Sequence, residues 1–423
     1  MKNERVAIIG GGMTGLALAY FLGKAGSRVA IIEKGKVLSG LVGFTTVNGV
    51  PIERFYHHFF TTDKYLLALL DELGLSDHIL WQDSKSAIYQ GGQLFPFVTK
   101  TDYLRLPFLT WGAKIRAATA ALILRRQHAE DLLPELTAET YLRRLFGDQG
   151  WETTWCPLLV NKFGEEASHR ISAQWIAKRI QTRAGSAKRG REVLGYINGS
   201  YRVLAERLRE AIVRRGGHIA LNTEVTNLPQ SPAGQYHING QDYHVVVSTI
   251  APELMKSIVP QLELPKIEYR AAICPLFILR SSVTPYYWIN ILDPNVPFSV
   301  IVNQPALLPS NYYHGRWPLY VGHYLPDSSE LFKKSDKELA AYYLGYLRKI
   351  FPGIDQEIVS CEIGRAKYAQ PIVTAPWQPL QHTTNVPHLY TTSMAHIFPE
   401  DRGVNYAIRE AKQIAALLIE KNS

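Results

Sequence analysis

Two histidines stand side by side, His57 and His58, inside the run Phe55-Tyr56-His57-His58-Phe59-Phe60. An imidazole titrates near neutrality, so such a pair among aromatic rings can do acid–base work or hold a hydrogen bond in a dry pocket. Neither a helical apolar face nor a two-residue alternation accounts for the run as packing. The plainer alternative is that one histidine is a satisfied structural group and the other lines a wall. Adjacent side chains point differently and no third ligand cluster accompanies them, so no metal centre is expected. A second signature lies upstream: Gly10-Gly11-Gly12-Met13-Thr14-Gly15 spells GxGxxG, and Glu33 follows after a short helical and a short apolar stretch.

The elements around the glycines have the order this chemistry needs. Residues 5–9 read as a short buried parallel strand, 16–24 as a helix, and 27–32 as a second strand closed by Glu33. Gly10 permits the tight turn, Gly12 lets the backbone approach a pyrophosphate, and Gly15 lets helix and strand pack closely. The helix N-terminus offers its first amides, those of Met13, Thr14 and Gly15, to that anion. Glu33 accepts from the ribose hydroxyls, with Lys34 beside it, and its charge repels a 2′-phosphate. The unit binds a dinucleotide. A two-strand NAD unit would continue into a second crossover helix. Here small residues, Ser39-Gly40-Leu41-Val42-Gly43, give a second close backbone approach, and residues 44–53 read as a hairpin around Asn48-Gly49.

With those residues the chain resembles the flavin amine oxidase, protoporphyrinogen oxidase and phytoene desaturase superfamily, and is akin to UDP-galactopyranose mutase. The resemblance covers nearly the whole chain. It implies FAD as cofactor and an α/β fold: a Rossmann-type FAD-binding domain of the glutathione reductase and p-hydroxybenzoate hydroxylase kind, an antiparallel β-sheet substrate domain and a helical insert. The implied boundaries are 1–80, 190–260 and 385–423 for the FAD domain, 81–100 and 261–384 for the substrate domain, and 101–189 for the helical subdomain. Residues 217–225 look like the strand whose Val225 covers the adenine side, and 243–250 like the strand after it. Residues 389–394, then Gly403-Val404-Asn405, look like the last strand and the helix start that caps the flavin. Where relatives end that strand in glycine and an acid that holds the ribityl chain, this chain has Ser393-Met394. Asp401 or Glu400, in Pro399-Glu400-Asp401-Arg402-Gly403, is the replacement expected. The first glycine of the family's Gly-Gly pair is Ser39 here, small enough to keep the contact with Gly40 and Leu41. The resemblance also carries the segment after Glu53 past the flavin ring, which makes Tyr56, His57, His58 and Arg402 the candidate catalytic groups.

Residues 106–126 are apolar and basic at once, with Phe108, Leu109, Trp111, Ile115, Leu122, Ile123 and Leu124 interleaved with Lys114, Arg116, Arg125 and Arg126. In relatives a helical insert here contacts the membrane. A peripheral contact with an anionic membrane is one expectation, and a buried helix is the favoured one. Residues 151–177 read as further helices of that lobe. Lys188, Arg189 and Arg191 lie in a basic loop, read as solvated or as meeting an anionic substrate. Strands are expected at 271–279, 286–291, 298–302 and 319–323, and a helix over 328–351. Residues 361–371 are expected to run back towards the flavin, making Arg365, Lys367 and Tyr368 pocket candidates. Thr61-Thr62-Asp63 is read as the cap of a helix over 64–73.

The net charge of +9 over 423 residues suits an anionic substrate or surface as well as an ordinary basic protein, and without a zinc knuckle or RNA-recognition signature nucleic acid is not expected. Three scattered cysteines, Cys156, Cys274 and Cys361, argue against a disulfide framework and for a reducing compartment. Residues 1–9 do not read as a signal peptide, because three glycines interrupt the apolar stretch at once, and no run is long enough to span a membrane. A cytoplasmic protein, or one peripheral on the cytoplasmic membrane face, is expected. The leading function is FAD-dependent oxidation of a small organic or lipid-like substrate by hydride transfer. The alternatives are a non-redox nucleotide-sugar mutase, to which the HHFFTTD stretch has some likeness, and a flavin-bound membrane-associated protein with little turnover. The oligomeric state is open.

Overall fold

The computed structural model describes residues 4–421 apart from 125, 189, 190, 233 and 310. Its centre is a five-stranded parallel sheet in the order His218–Ala220, Arg28–Ile32, Arg5–Ile9, Val245–Ser248 and Leu389–Thr391. The first two strands in sequence are both RVAII, with their last four residues buried, as expected of strands covered on both faces. Helices Met13–Lys24, Lys64–Glu72, Tyr201–Arg214 and Val404–Lys421 supply one covering layer, in which Leu16, Leu69, Leu204 and Ile408 pack together. The sheet order reverses at Arg5–Ile9, with the second strand on one side and Val245–Ser248 on the other. Such a switch point opens a crevice at the carboxyl ends of the strands.

A second sheet has seven strands, in the order Ile358–Pro371, Tyr269–Leu279, Trp317–Leu325, Val300–Asn303, Trp288–Ile291, Ser86–Gln90 and Gln93–Pro96. It is antiparallel, as expected, with one exception: Trp288–Ile291 and Ser86–Gln90 run parallel. The hairpin 86–96 joins from a distant part of the chain, so no tight turn dictates its direction. A small third sheet, in which Arg191–Ile197 lies between Phe59–Phe60 and Ile79–Asp83, ties the segment after the histidines to the rest. Gly195 makes this possible: a Cβ there would fall 2.3 Å from the Phe59 ring.

The third lobe is helical, from Lys100–Arg105 to Ala173–Gly185, around Trp151, Phe163 and Trp175. Its helix Trp111–Leu124 corrects the favoured expectation of a buried helix. Only Ala113, Lys114, Ala120 and Leu124 are buried, while Trp111 is 68 %, Ile115 64 % and Leu122 60 % exposed. The helix expected over 328–351 is shorter, Asp336–Ile350, and starts at Ser335 with a capping box to Glu338. The strand expected over 217–225 is confined to His218–Ala220. No helix among the described residues is long and apolar enough to cross a membrane.

Candidate active site

The glycine turn has the geometry a dinucleotide needs. Gly10 has φ +106°, and a Cβ on Gly15 would stand 2.1 Å from the Gly10 carbonyl oxygen, so both positions require glycine. A Cβ on Gly12 would meet nothing closer than Gly40 Cα at 4.0 Å, which leaves the backbone open to a ligand. The Ser39-Gly40-Leu41 stretch does come back over this turn: Gly12 and Ser39 are bridged, and the Ser39 amide donates to the Gly11 carbonyl at 2.8 Å. Ser39 does so at φ 103°, a conformation suited to the glycine that relatives carry. Glu33 takes the Gly11 amide at 2.7 Å and the Gly35 amide at 2.6 Å, which fixes its carboxylate at the end of the second strand. Lys34 beside it is exposed. Val225 lies beyond the end of the His218–Ala220 strand and packs in one cluster with Ala30 and Ile32.

Four hydroxyls at this crevice, those of Ser39, Ser248, Thr391 and Thr392, are buried with no partner in the protein. Ser248 and Thr391 end parallel strands. Buried hydroxyls are rarely left unpaired, so four together mark a polar ligand. Orphaned hydroxyls, an open glycine backbone and the first amides of helix Met13–Lys24 fit a dinucleotide.

Helix Val404–Lys421 starts nearby, after the exposed Gly403, but the Asn405 side chain is used elsewhere. Its Oδ1 accepts from the amides of Tyr65 at 2.9 Å and Leu66 at 3.1 Å, capping helix Lys64–Glu72. The N-cap position is Asp63, within the expected Thr61-Thr62-Asp63, but its side chain does not cap the helix and instead accepts the Phe60 amide at 2.9 Å. Asp401 is bound by Lys162 at 2.8 Å and by Arg179, and its other oxygen by the Arg402 amide. Glu400 binds Arg409 at 2.6 Å. Both acids expected to replace the ribityl contact are thus held in ion pairs, Asp401 with the helical lobe and Glu400 with Arg409 of the last helix and Lys178 of the helical lobe.

The histidine run is anchored by Glu53, whose buried carboxylate accepts from the Tyr196 hydroxyl at 2.8 Å and the Tyr201 amide at 2.7 Å. Burial outweighs these bonds and pushes its pKa up to about 7. His57 Nδ1 lies 2.6 Å from the Phe55 carbonyl, which can only accept, so Nδ1 carries the proton and Nε2 a lone pair. His58 Nδ1 lies 2.9 Å from the Tyr287 hydroxyl, and its ring meets Trp288 edge-on at 5.5 Å. Burial lowers the pKa of His57 to about 4. It lowers that of His58 to about 3, with Arg183, His57 and Arg179 pushing the same way. Both imidazoles are neutral at pH 7, yet neither is fully covered. Half-buried rings held neutral in this way can still meet a ligand.

Tyr56 and Arg402 meet through Tyr324. The two tyrosine hydroxyls are 3.3 Å apart, and Arg402 donates to Tyr324 at 2.7 Å and to Gln370 Oε1 at 2.8 Å. Gly322 makes room for Tyr56, since a Cβ there would lie 2.7 Å from its ring. The four predicted catalytic groups therefore share one neighbourhood. The strand Ile358–Pro371 contributes Gln370, not the residues expected from it: Arg365 pairs with Asp336 at 2.5 Å and Lys367 with Asp327 at 3.0 Å, beside the outer helix Asp336–Ile350, and Tyr368 meets Tyr269 edge-on. Arg191 of the basic loop pairs with Asp83 at 3.2 Å, and Arg189 lies outside the described residues.

Sequence reasoning missed three cations of this pocket, Lys162, Arg179 and Arg183. Lys162 lies 5.0 Å from the centre of the Trp175 ring, Arg179 5.5 Å from the same ring, and Arg183 5.4 Å from that of Trp288. A signal for two of them was present, because Trp175, Arg179 and Arg183 recur every four residues along one helix face.

The family model for flavin-containing amine oxidoreductases matches residues 13–419. The chain belongs to the flavin-containing amine oxidoreductases. Its cofactor is FAD, which the glycine turn and the orphaned hydroxyls fit. This oxidoreductase is 29 % identical over 160 residues to the coproporphyrinogen III oxidase of Propionibacterium freudenreichii, a match covering 34 % of the chain and 28 % of that enzyme. It is 34 % identical over 128 residues, 27 % of each chain, to a Synechococcus elongatus protein assigned as a zeta-carotene desaturase. These matches span little more than a quarter of either relative's length. A solved structure from Exiguobacterium sp. 255-15, assigned as a protoporphyrinogen oxidase, shares the fold over 99 % of both chains, with a TM-score of 0.77 at 21 % identity.

Proposed function

We propose that this flavin-dependent oxidoreductase dehydrogenates a small organic or lipid-like substrate in the pocket where residues 56–58 meet Arg402. The observation that carries the reading is the pair of desolvated, neutral and still accessible imidazoles beside the Arg402–Tyr324–Tyr56 network. Bound FAD supplies the hydride acceptor, reoxidised by oxygen, a quinone or another acceptor. The side chains orient the substrate and take its proton. His57, with Nδ1–H tied to the Phe55 carbonyl, keeps Nε2 free to accept a proton or a hydrogen bond. Arg402, fixed by Gln370 and Tyr324, provides a constant positive charge. Tyr287 and Trp288 exclude water around His58. Anaerobic mixing with candidate substrates tests this: the flavin band bleaches with the true substrate, and His57→Ala/His58→Ala slows bleaching at least tenfold. Unchanged turnover and an unchanged flavin spectrum in that variant would remove the histidines from the mechanism. Turnover that needs a pre-reduced flavin and consumes no electrons would mean a mutase.

We also infer a peripheral contact with an anionic membrane through residues 106–126. Trp111, Ile115, Leu122 and Ile123 are exposed large apolar side chains on one helix that also carries Arg116. Vesicle co-sedimentation decides this reading.

A further inference from the structure

We propose that Lys162, Arg179, Arg183 and Arg402 form an anion-binding subsite of the pocket, which takes a carboxylate or phosphate group of the substrate. The inference rests on the reading that substrate is oxidised beside the histidines, and it names the substrate's charge.

The four cations come from three stretches of chain. Lys162 lies on helix Cys156–Phe163, Arg179 and Arg183 on helix Ala173–Gly185, and Arg402 just before the last helix. They converge around shared aromatic rings: Lys162 and Arg179 on Trp175, Lys162 and Arg402 on Tyr324, Arg183 on Trp288. Trp288 is also the ring against His58, and Arg183 and Arg179 both act on the His58 titration, so the cations share the space of the histidines.

The charges do not balance. Asp401 serves both Lys162 and Arg179, and Glu192 serves Arg183 at 3.0 Å. The Arg402 side chain has only the neutral partners Tyr324 and Gln370, with no carboxylate in ion-pair range of its guanidinium among the described residues. Two carboxylates thus face four cations, and both imidazoles are neutral. The neighbouring Lys178 and Arg409 share three acids, Glu130, Glu400 and Glu410, which offsets one charge of the excess and leaves the cluster net positive. The aromatic faces hold the cations in place but bring no net charge, leaving them free to meet an anion. Burial pulls Lys162 well down and Arg179 to about 10, yet Arg179 and Arg183 keep 29 % and 30 % of their side-chain surface accessible. A half-buried guanidinium with no carboxylate partner, that of Arg402, is expensive, and a ligand anion shared with the paired Arg179 and Arg183 would relieve that cost. Arginine's planar fork suits carboxylates and phosphates alike. An alkylammonium substrate would meet the opposite field.

The test uses oxidised, FAD-loaded protein at low salt, titrated separately with inorganic diphosphate, citrate and putrescine. The readouts are flavin absorbance and tryptophan emission. A saturable response to diphosphate or citrate, weakened about tenfold or more in Arg179→Gln and in Arg183→Gln, is expected, with none to putrescine. The stronger of the two anions tells phosphate from carboxylate. Retained FAD content shows that the variants are folded, and Arg183→Lys, which keeps the charge, should recover part of the affinity. No saturable response to either anion, an equal response in both glutamine variants, or a preference for putrescine overturns the subsite. No turnover is needed, so failure here is separate from failure of the oxidase reading. That reading falls if no anionic, neutral or amine substrate bleaches the flavin while the anions still bind.

Discussion

The histidines tie the pocket's chemistry to the stability of the protein. A base whose folded pKa is depressed stabilises the fold fully above its unfolded value, near 6.5, and loses that contribution as pH falls towards the folded value. His57 and His58 have folded values of about 4 and about 3, and the buried His323 and His396 about 4 and about 3. The protein should therefore lose stability steeply between about pH 6.5 and pH 4. Replacing His58 by Gln keeps a hydrogen-bonding group for Tyr287 and removes one titrating site. We expect His58→Gln to lower the melting temperature at pH 7.5 and to close the gap to the wild type by pH 5. Parallel melting profiles across that range would show that His58 is not held neutral by the fold.

Among the elements, helix Lys64–Glu72 depends on a distant residue for its start. Helix N-termini leave amides without partners, and here Asn405, at the beginning of the last helix, satisfies two of them. Asn405→Ala should cost about 1–2 kcal/mol, read as a lower denaturant midpoint with an unchanged slope. An unchanged midpoint would mean that the cap contributes nothing. The same contact fastens the two segments that flank the crevice, so FAD should also be released at lower denaturant in this variant. The hairpin Phe44–Val47 and Val50–Glu53 was legible from Asn48-Gly49 alone, because turn chemistry is local. The Asn405 cap was not legible, since its partners lie 340 positions away.

For the whole molecule, a net charge of +9 and an exposed apolar helix act in the same direction. Charge attracts the protein to an anionic surface, and Trp111, Ile115 and Leu122 give it something to insert. We expect co-sedimentation with anionic vesicles at low salt, falling as salt rises because the Debye length shrinks from about 10 Å at 0.1 M to about 3 Å at 1 M. Binding should be abolished by Trp111→Glu/Ile115→Glu, with FAD content intact. Equal binding to neutral vesicles, or no effect of the double substitution, would sink the membrane reading.

By itself the sequence determined the dinucleotide unit, the hairpin after it and most strands of the second sheet. These signals are carried by contiguous residues: a GxGxxG between two RVAII strands, a turn dipeptide, a two-residue period. Tertiary structure alone decided three other things. It sent Arg365 and Lys367 outwards to acids beside the helix Asp336–Ile350 and brought Gln370 inwards, a choice that depends on what packs on each face of the strand. It left helix Trp111–Leu124 largely bare, because apolar residues on every side of a helix do not say which side finds a neighbour. It also gathered Lys162, Arg179 and Arg183 around Asp401 and Trp288 near Arg402, where charges spread over some 240 positions become one field only when three lobes close on a common space.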